Sequence, residues 1–113
     1  MPTYRKYKIA KLKTFAESKT PIEVDLVLDK TAVDFLLGLS GEYRVDHESV
    51  IEAIRRNIEK NGFRGGMPMH VSNQPELVDG RHRLLALKEA GYPENTGVRV
   101  IFGIEMRAEP ALV

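Results

Sequence analysis

Three potentially cationic side chains follow one glycine and could bind an anion. The run is Asp79, Gly80, Arg81, His82 and Arg83, and a helical pattern begins within it. Cationic groups in the first turn of a helix oppose the helix dipole, whereas the free N–H groups of that turn favour an anion. Arginine adds bidentate hydrogen bonds to phosphate, histidine adds a donor, and glycine lets the backbone approach closely. The segment therefore predicts a phosphate-binding site.

Structural roles are the alternative for these residues. Arg81 or Arg83 could pair with Asp79 or with an acidic residue of the range 21–54, and His82 could be an ordinary surface imidazole. Asp79 could hold a metal or orient Arg81, but an Asp before Gly is also a common turn or N-cap residue.

A second candidate for chemistry opens the long helix predicted over residues 46–61. Glu48 could act as a general base or help to hold Mg²⁺, or it could simply complement the helix N-terminus. The three histidines, His47, His70 and His82, match no compact zinc-binding spacing, so we expect no structural metal.

The charged residues are unevenly distributed although the net charge is only +1. Residues 1–20 hold six basic groups and one acidic group, whereas residues 21–54 hold two basic and eight acidic groups. Lys6, Lys8 and Lys11 could therefore bind nucleic acid. Alternatively, these lysines solvate an edge strand and discourage sheet-to-sheet association.

Length and composition favour one domain spanning residues 1–113. The chain has 42% hydrophobic and 29% charged residues and no cysteine. It therefore has no disulfide, no thiolate metal ligand and no cysteine nucleophile. Without a long apolar segment or a secretory signal, we expect a cytoplasmic protein with no membrane contact.

The hydrophobic periodicity predicts an α+β domain in which a small mixed sheet packs against helices at about 48–61 and 81–90. A capping box of Ser49 and Glu52, or an N-cap at Asp46, would begin the first of these helices. Residues 105–113 form a loosely held tail. The remaining predictions are a helix over 31–39 and strands over 4–12, 22–28, 68–71, 77–78 and 98–102.

The order of these motifs resembles the ParB/sulfiredoxin-like superfamily. Residues 79–83 (Asp-Gly-Arg-His-Arg) look like its phosphate-binding box, and residues 68–71 (Pro-Met-His-Val) look like its preceding strand. The helix over 48–60 also has its counterpart there, and the similarity covers about residues 20–104. It implies the fold of that superfamily, with Gly80 and the three side chains after it contacting phosphates.

The resemblance implies a nucleotide site for a nucleoside triphosphate or diphosphate, with or without Mg²⁺, where hydrolysis or phosphoryl transfer could follow. Glu48 or Asp79 would then be catalytic. A ParB-like nuclease or DNA-binding protein of phage or plasmid type is one alternative, with DNA or RNA as partner. A non-catalytic interaction protein with a degenerate site is another, and a homodimer is allowed. Sulfinic-acid reduction is excluded, because Arg81 stands where sulfiredoxins have their catalytic cysteine.

Overall fold

Alternating and helical apolar patterns produce four strands and four helices in the part of the chain that the computed structural model describes, residues 3–41, 46–63 and 66–105. Along the chain they are α1 (Ile9–Ala16), β1 (Ile22–Val27), α2 (Lys30–Gly38), α3 (Glu48–Asn61), β2 (Met69–Ser72), β3 (Leu77–Asp79), α4 (Arg81–Glu89) and β4 (Gly97–Ile104). The α+β prediction is confirmed.

The four strands form one mixed sheet in the order β1-β4-β2-β3. β4 pairs antiparallel with β1 and parallel with β2, and β2 pairs antiparallel with β3. The register aligns Val24, Val100 and Met69 in one row across the sheet. Successive side chains of a strand point to opposite faces of the sheet. Val24, Val100 and Met69 therefore face the core, whereas Asp25 and Arg99 form an ion pair on the solvent face.

The buried face of the sheet packs against the helices. α1 contributes Leu12 and stacks Phe15 on Phe102 of β4, with ring centroids 5.8 Å apart. α4 contributes Leu84 and Leu87, both fully buried. Burial of such side chains stabilises the fold by roughly 1.5–3 kcal/mol each, so α4 is anchored firmly behind the candidate phosphate-binding turn.

The predicted strand over 4–12 is wrong, because residues 9–16 form α1. Leu12 and Ala16, one helical turn apart, are the buried residues of this helix. The tertiary packing of this pair outweighs the β-formers Tyr4, Tyr7 and Ile9 on which the prediction relied. Only Arg5 keeps an extended contact, a parallel bridge to Leu26 beside β1.

The start of α3 also differs from the prediction. The helix begins at Glu48 with His47 as its N-cap residue, and no side chain caps it. Asp46 therefore does not cap the helix, and neither does Ser49. Of the predicted tail over 105–113, residues 106–113 lie outside the described residues. Within the described ranges, no helix is long and apolar enough to cross a membrane.

Gly103 of β4 lies against the loop that connects α1 to β1. Its φ is +77°, and a Cβ atom there would come within 2.2 Å of the carbonyl oxygen of Thr20. The backbone conformation and the close approach both require glycine. Gly38, the last residue of α2, is in contrast open to solvent, with nothing within 4 Å of an added Cβ.

We expect Gly103→Ala to lower the free energy of unfolding by at least about 2 kcal/mol, through backbone strain and a clash with Thr20. The control Gly38→Ala should leave stability unchanged or raise it by up to about 1 kcal/mol. Urea denaturation of both variants measures the difference. Equal effects would contradict the assigned geometry at Gly103.

Candidate functional site

The turn between β3 and α4 is built around Gly80. This residue is the N-cap of α4, with a left-handed φ of +102°, and no side chain caps the helix. A Cβ atom at Gly80 would lie 2.7 Å from Cγ of the buried Met69, so the chain needs glycine here. The first N–H groups of α4 consequently remain available to a ligand.

Arg81 makes hydrogen bonds within the protein. Its Nε donates to Oδ1 of Asp46 at 2.6 Å, its Nη2 donates to Oδ2 at 2.9 Å, and its Nη1 donates to Oγ of Ser40. The hydrogen bonds between Arg81 and the carboxylate lower the pKa of Asp46 and raise the pKa of Arg81. Arg81, which was predicted to bind phosphate, therefore pairs with Asp46. This is the alternative in which Arg81 holds an acidic residue of the range 21–54.

Arg83 binds backbone carbonyl oxygens, and the carboxylate of Asp79 attracts its charge. Its Nη1 donates to the carbonyl oxygen of Met67 at 2.6 Å, and its Nη2 donates to that of Pro68 at 3.4 Å. Burial lowers the pKa of Arg83. The side chain lines a cavity of about 250 Å³ together with Phe63, Ile54 and other residues of α3 and its C-terminal end.

His82 brings the start of α4 to the start of α3. Its Nε2 accepts a hydrogen bond from the backbone N–H of His47 at 3.4 Å, and the two imidazole rings lie 5.7 Å apart. Glu48 follows His47 as an exposed residue in the first turn of α3. Two uncapped helix N-termini therefore meet at the candidate site.

Asp79 forms hydrogen bonds with His70, a contact that the sequence did not predict. Its Oδ1 accepts the backbone N–H of His70 at 2.8 Å, and its Oδ2 lies 2.9 Å from His70 Nδ1. The two residues are partners in the β2–β3 ladder. Only this register brings them together, because nine residues separate them in the sequence.

The described side chains offer no ready magnesium site. No three His, Asp or Glu residues of residues 3–41, 46–63 and 66–105 cluster as metal ligands would. Both carboxylate oxygens of Asp79 already contact His70. The described residues at this turn therefore do not fit a Mg²⁺ ion held by the protein alone.

Lys6 and Lys8 lie near the edge of the sheet that is opposite to the edge next to Gly80. Lys6 and Lys8 follow Arg5, which bridges Leu26 of the edge strand β1. Gly80 follows β3, which forms the opposite edge. Lys6, Lys8 and Lys11 are all exposed. The structure therefore does not bring them to the turn that contains residues 80–83.

Comparison with protein families, curated proteins and solved structures found no match to this chain.

We expect Asp46→Asn to lower the melting temperature at pH 7, because it removes the charge from the Arg81 pair. A carboxylate with a lowered pKa in the folded chain contributes stability that is complete above its unfolded pKa and is lost as pH falls through the folded value. For Asp46 the loss occurs below about pH 4.

The difference between wild type and Asp46→Asn should therefore shrink on acidification in thermal melts from pH 7 to pH 3. Glu89→Gln is the control, since Glu89 is an exposed carboxylate at the end of α4. A difference that stays constant down to pH 3 would contradict the assigned ion pair.

Proposed function

We propose that this chain binds a phosphate-bearing ligand, in the first place a nucleoside diphosphate or triphosphate, where the N-termini of α3 and α4 meet. One observation carries the proposal: both helices start without a side-chain cap, and the contact between His47 and His82 holds the two starts together. Each N-terminus carries about half a positive charge, so the dipoles of both helices attract an anion that binds between them.

The donors at this point suit phosphate oxygens. The N–H groups in the first turn of α4 point out of the helix, and the left-handed Gly80 leaves them uncovered by a Cβ. Because Nε2 of His82 accepts from His47, the neutral ring carries its hydrogen on Nδ1, which can donate to the ligand. Arg83 is not among these donors, because its side chain binds the carbonyl oxygens of Met67 and Pro68 and lines the cavity at the C-terminal end of α3.

A reaction at this site would use Glu48 as its base. Glu48 is exposed beside His47, whereas the oxygens of Asp79 are occupied by His70. In this proposal Asp79 positions His70 and the turn before Gly80. The ParB/sulfiredoxin-like superfamily remains the proposed relative, supported by the order of elements and by the box over 79–83.

We expect pyrophosphate and nucleoside di- and triphosphates to raise the melting temperature of the wild type. His82→Ala should weaken the affinity about tenfold, because it removes one hydrogen bond to a charged ligand, while alanine preserves the helix. Lys88→Ala is the matched control, since Lys88 is exposed in the last turn of α4, at the opposite end of the same helix. Calorimetric titration with and without Mg²⁺ measures the affinities, and assay of the products tests hydrolysis.

Two results would contradict this proposal. One is the absence of any shift in melting temperature with pyrophosphate or any nucleotide at millimolar concentration. The other is an equal loss of affinity in His82→Ala and Lys88→Ala, which would indicate binding elsewhere.

A second candidate, single-stranded nucleic acid binding, is supported by adjoining cavities near the N-terminal lysines. Lys6 and Tyr92 line one cavity of about 490 Å³, and Tyr4 and Phe63 line another of about 470 Å³. Both include Asn95. Aromatic rings next to lysines suit stacked bases and backbone phosphates.

For this second candidate we expect oligonucleotide binding that weakens steeply with salt. Lys8→Glu should reduce the affinity about tenfold at low salt and flatten the salt dependence. Lys60→Glu, the same change in charge at the end of α3, is the control. Fluorescence anisotropy with a labelled oligonucleotide measures both. Equal behaviour of the two variants, or no binding at low salt, would exclude this candidate.

A further inference from the structure

We infer that the carboxylate of Asp46 occupies an oxyanion subsite on Arg81, and that a ligand phosphate binds there by displacing it. This inference rests on the proposed function, because it concerns the same site. It assigns Asp46 the role of an internal competitor that keeps the strongest guanidinium donors of the site covered until a diphosphate group arrives.

The geometry of the pair is the geometry that phosphate would use. Nε and Nη2 of Arg81 donate in parallel to the two oxygens of Asp46, at 2.6 and 2.9 Å. A guanidinium presents the same two-donor edge to two oxygens of a phosphate. An incoming phosphate can therefore replace the carboxylate without any change in the position of Arg81.

Arg81 is held in place independently of Asp46. Its third nitrogen, Nη1, donates to Oγ of Ser40, and the hydroxyl of Ser40 in turn donates to the carbonyl oxygen of Leu37 at the end of α2. The guanidinium is thus fixed from the side of α2, and only 22% of the side chain is exposed. When Asp46 moves away, the Nε and Nη2 edge stays directed at the vacated position.

Asp46 is placed so that it can leave. It precedes α3, and 31% of its side chain is exposed to solvent. Among the described residues its hydrogen bonds run only to Arg81. The net stability that a partly exposed ion pair of this kind contributes is small enough for a charged ligand to compete with it, because water solvates both partners once they separate.

The position of Asp46 also indicates which ligand gains most. Asp46 is adjacent to His47, whose N–H contacts His82 in the first turn of α4. One phosphate of a diphosphate group can bind the N–H groups of α4 while the other takes the place of the carboxylate on Arg81. Pyrophosphate should therefore compete with Asp46 more effectively than inorganic phosphate does.

The test compares pyrophosphate affinity in the wild type, Asp46→Asn and Asp25→Asn by calorimetric titration. Asp25 is the matched control, because it holds Arg99 through the same two-atom fork, at 2.8 and 3.2 Å, on the solvent face of the sheet. We expect Asp46→Asn to bind pyrophosphate about fivefold more tightly than the wild type, and Asp25→Asn to bind like the wild type. Arg81→Lys in the Asp46→Asn background should remove the gain, since lysine has no fork.

A measurement on the wild type keeps the test independent of the folding of the variants. On addition of pyrophosphate, the Nε–H resonance of Arg81 should shift in nitrogen-15 NMR spectra, whereas that of Arg99 should not.

The outcomes separate the two proposals. If the wild type binds pyrophosphate through His82 but Asp46→Asn gains no affinity, or gains no more than Asp25→Asn, this inference is wrong and the phosphate site stands. The same holds if the Arg81 resonance does not move. If neither the wild type nor Asp46→Asn binds pyrophosphate, both proposals are wrong.

Discussion

The hydrogen bonds of Arg81 are the interaction on which the candidate site depends. One guanidinium connects Ser40 after α2, Asp46 before α3 and the first turn of α4. It thereby holds together two helix N-termini that carry partial charges of the same sign. The carboxylate of Asp46 lies among these positive groups and offsets their repulsion. A bound phosphate would supply the same compensation, which is why the structural and the functional interpretation of this turn involve the same atoms.

The protein thus divides its donors between its own fold and a possible ligand. The guanidinium of Arg83 holds the residues before β2, and Asp79 holds His70 across the β2–β3 ladder. The first-turn N–H groups of α4 and one nitrogen of His82 remain directed outward. These outward-facing donors and the close approach of the two helix starts are the features that support phosphate binding.

Much of the secondary structure could be predicted, because local patterns specify it. The alternation from Ile22 in β1 and the apolar spacing of α4 each indicate one buried face, and both elements form as expected. The N-terminal segment was mispredicted because it contains the β-formers Tyr4, Tyr7 and Ile9, while Leu12 and Ala16 also match a helical turn. Local propensity did not distinguish these possibilities, and packing against α2 and β4 favoured the helix.

Local sequence places a glycine and three potential cations at the start of α4, and composition leaves no cysteine to act in this protein. The role of each of those cations depends on which distant residues the fold brings to it. Arg81 lies 35 residues from Asp46 in the sequence, and His82 lies 35 residues from His47. Such pairings depend on how α3 packs against α4. No local pattern encodes that packing, because the free energy that fixes it comes from the shared core beneath both helices.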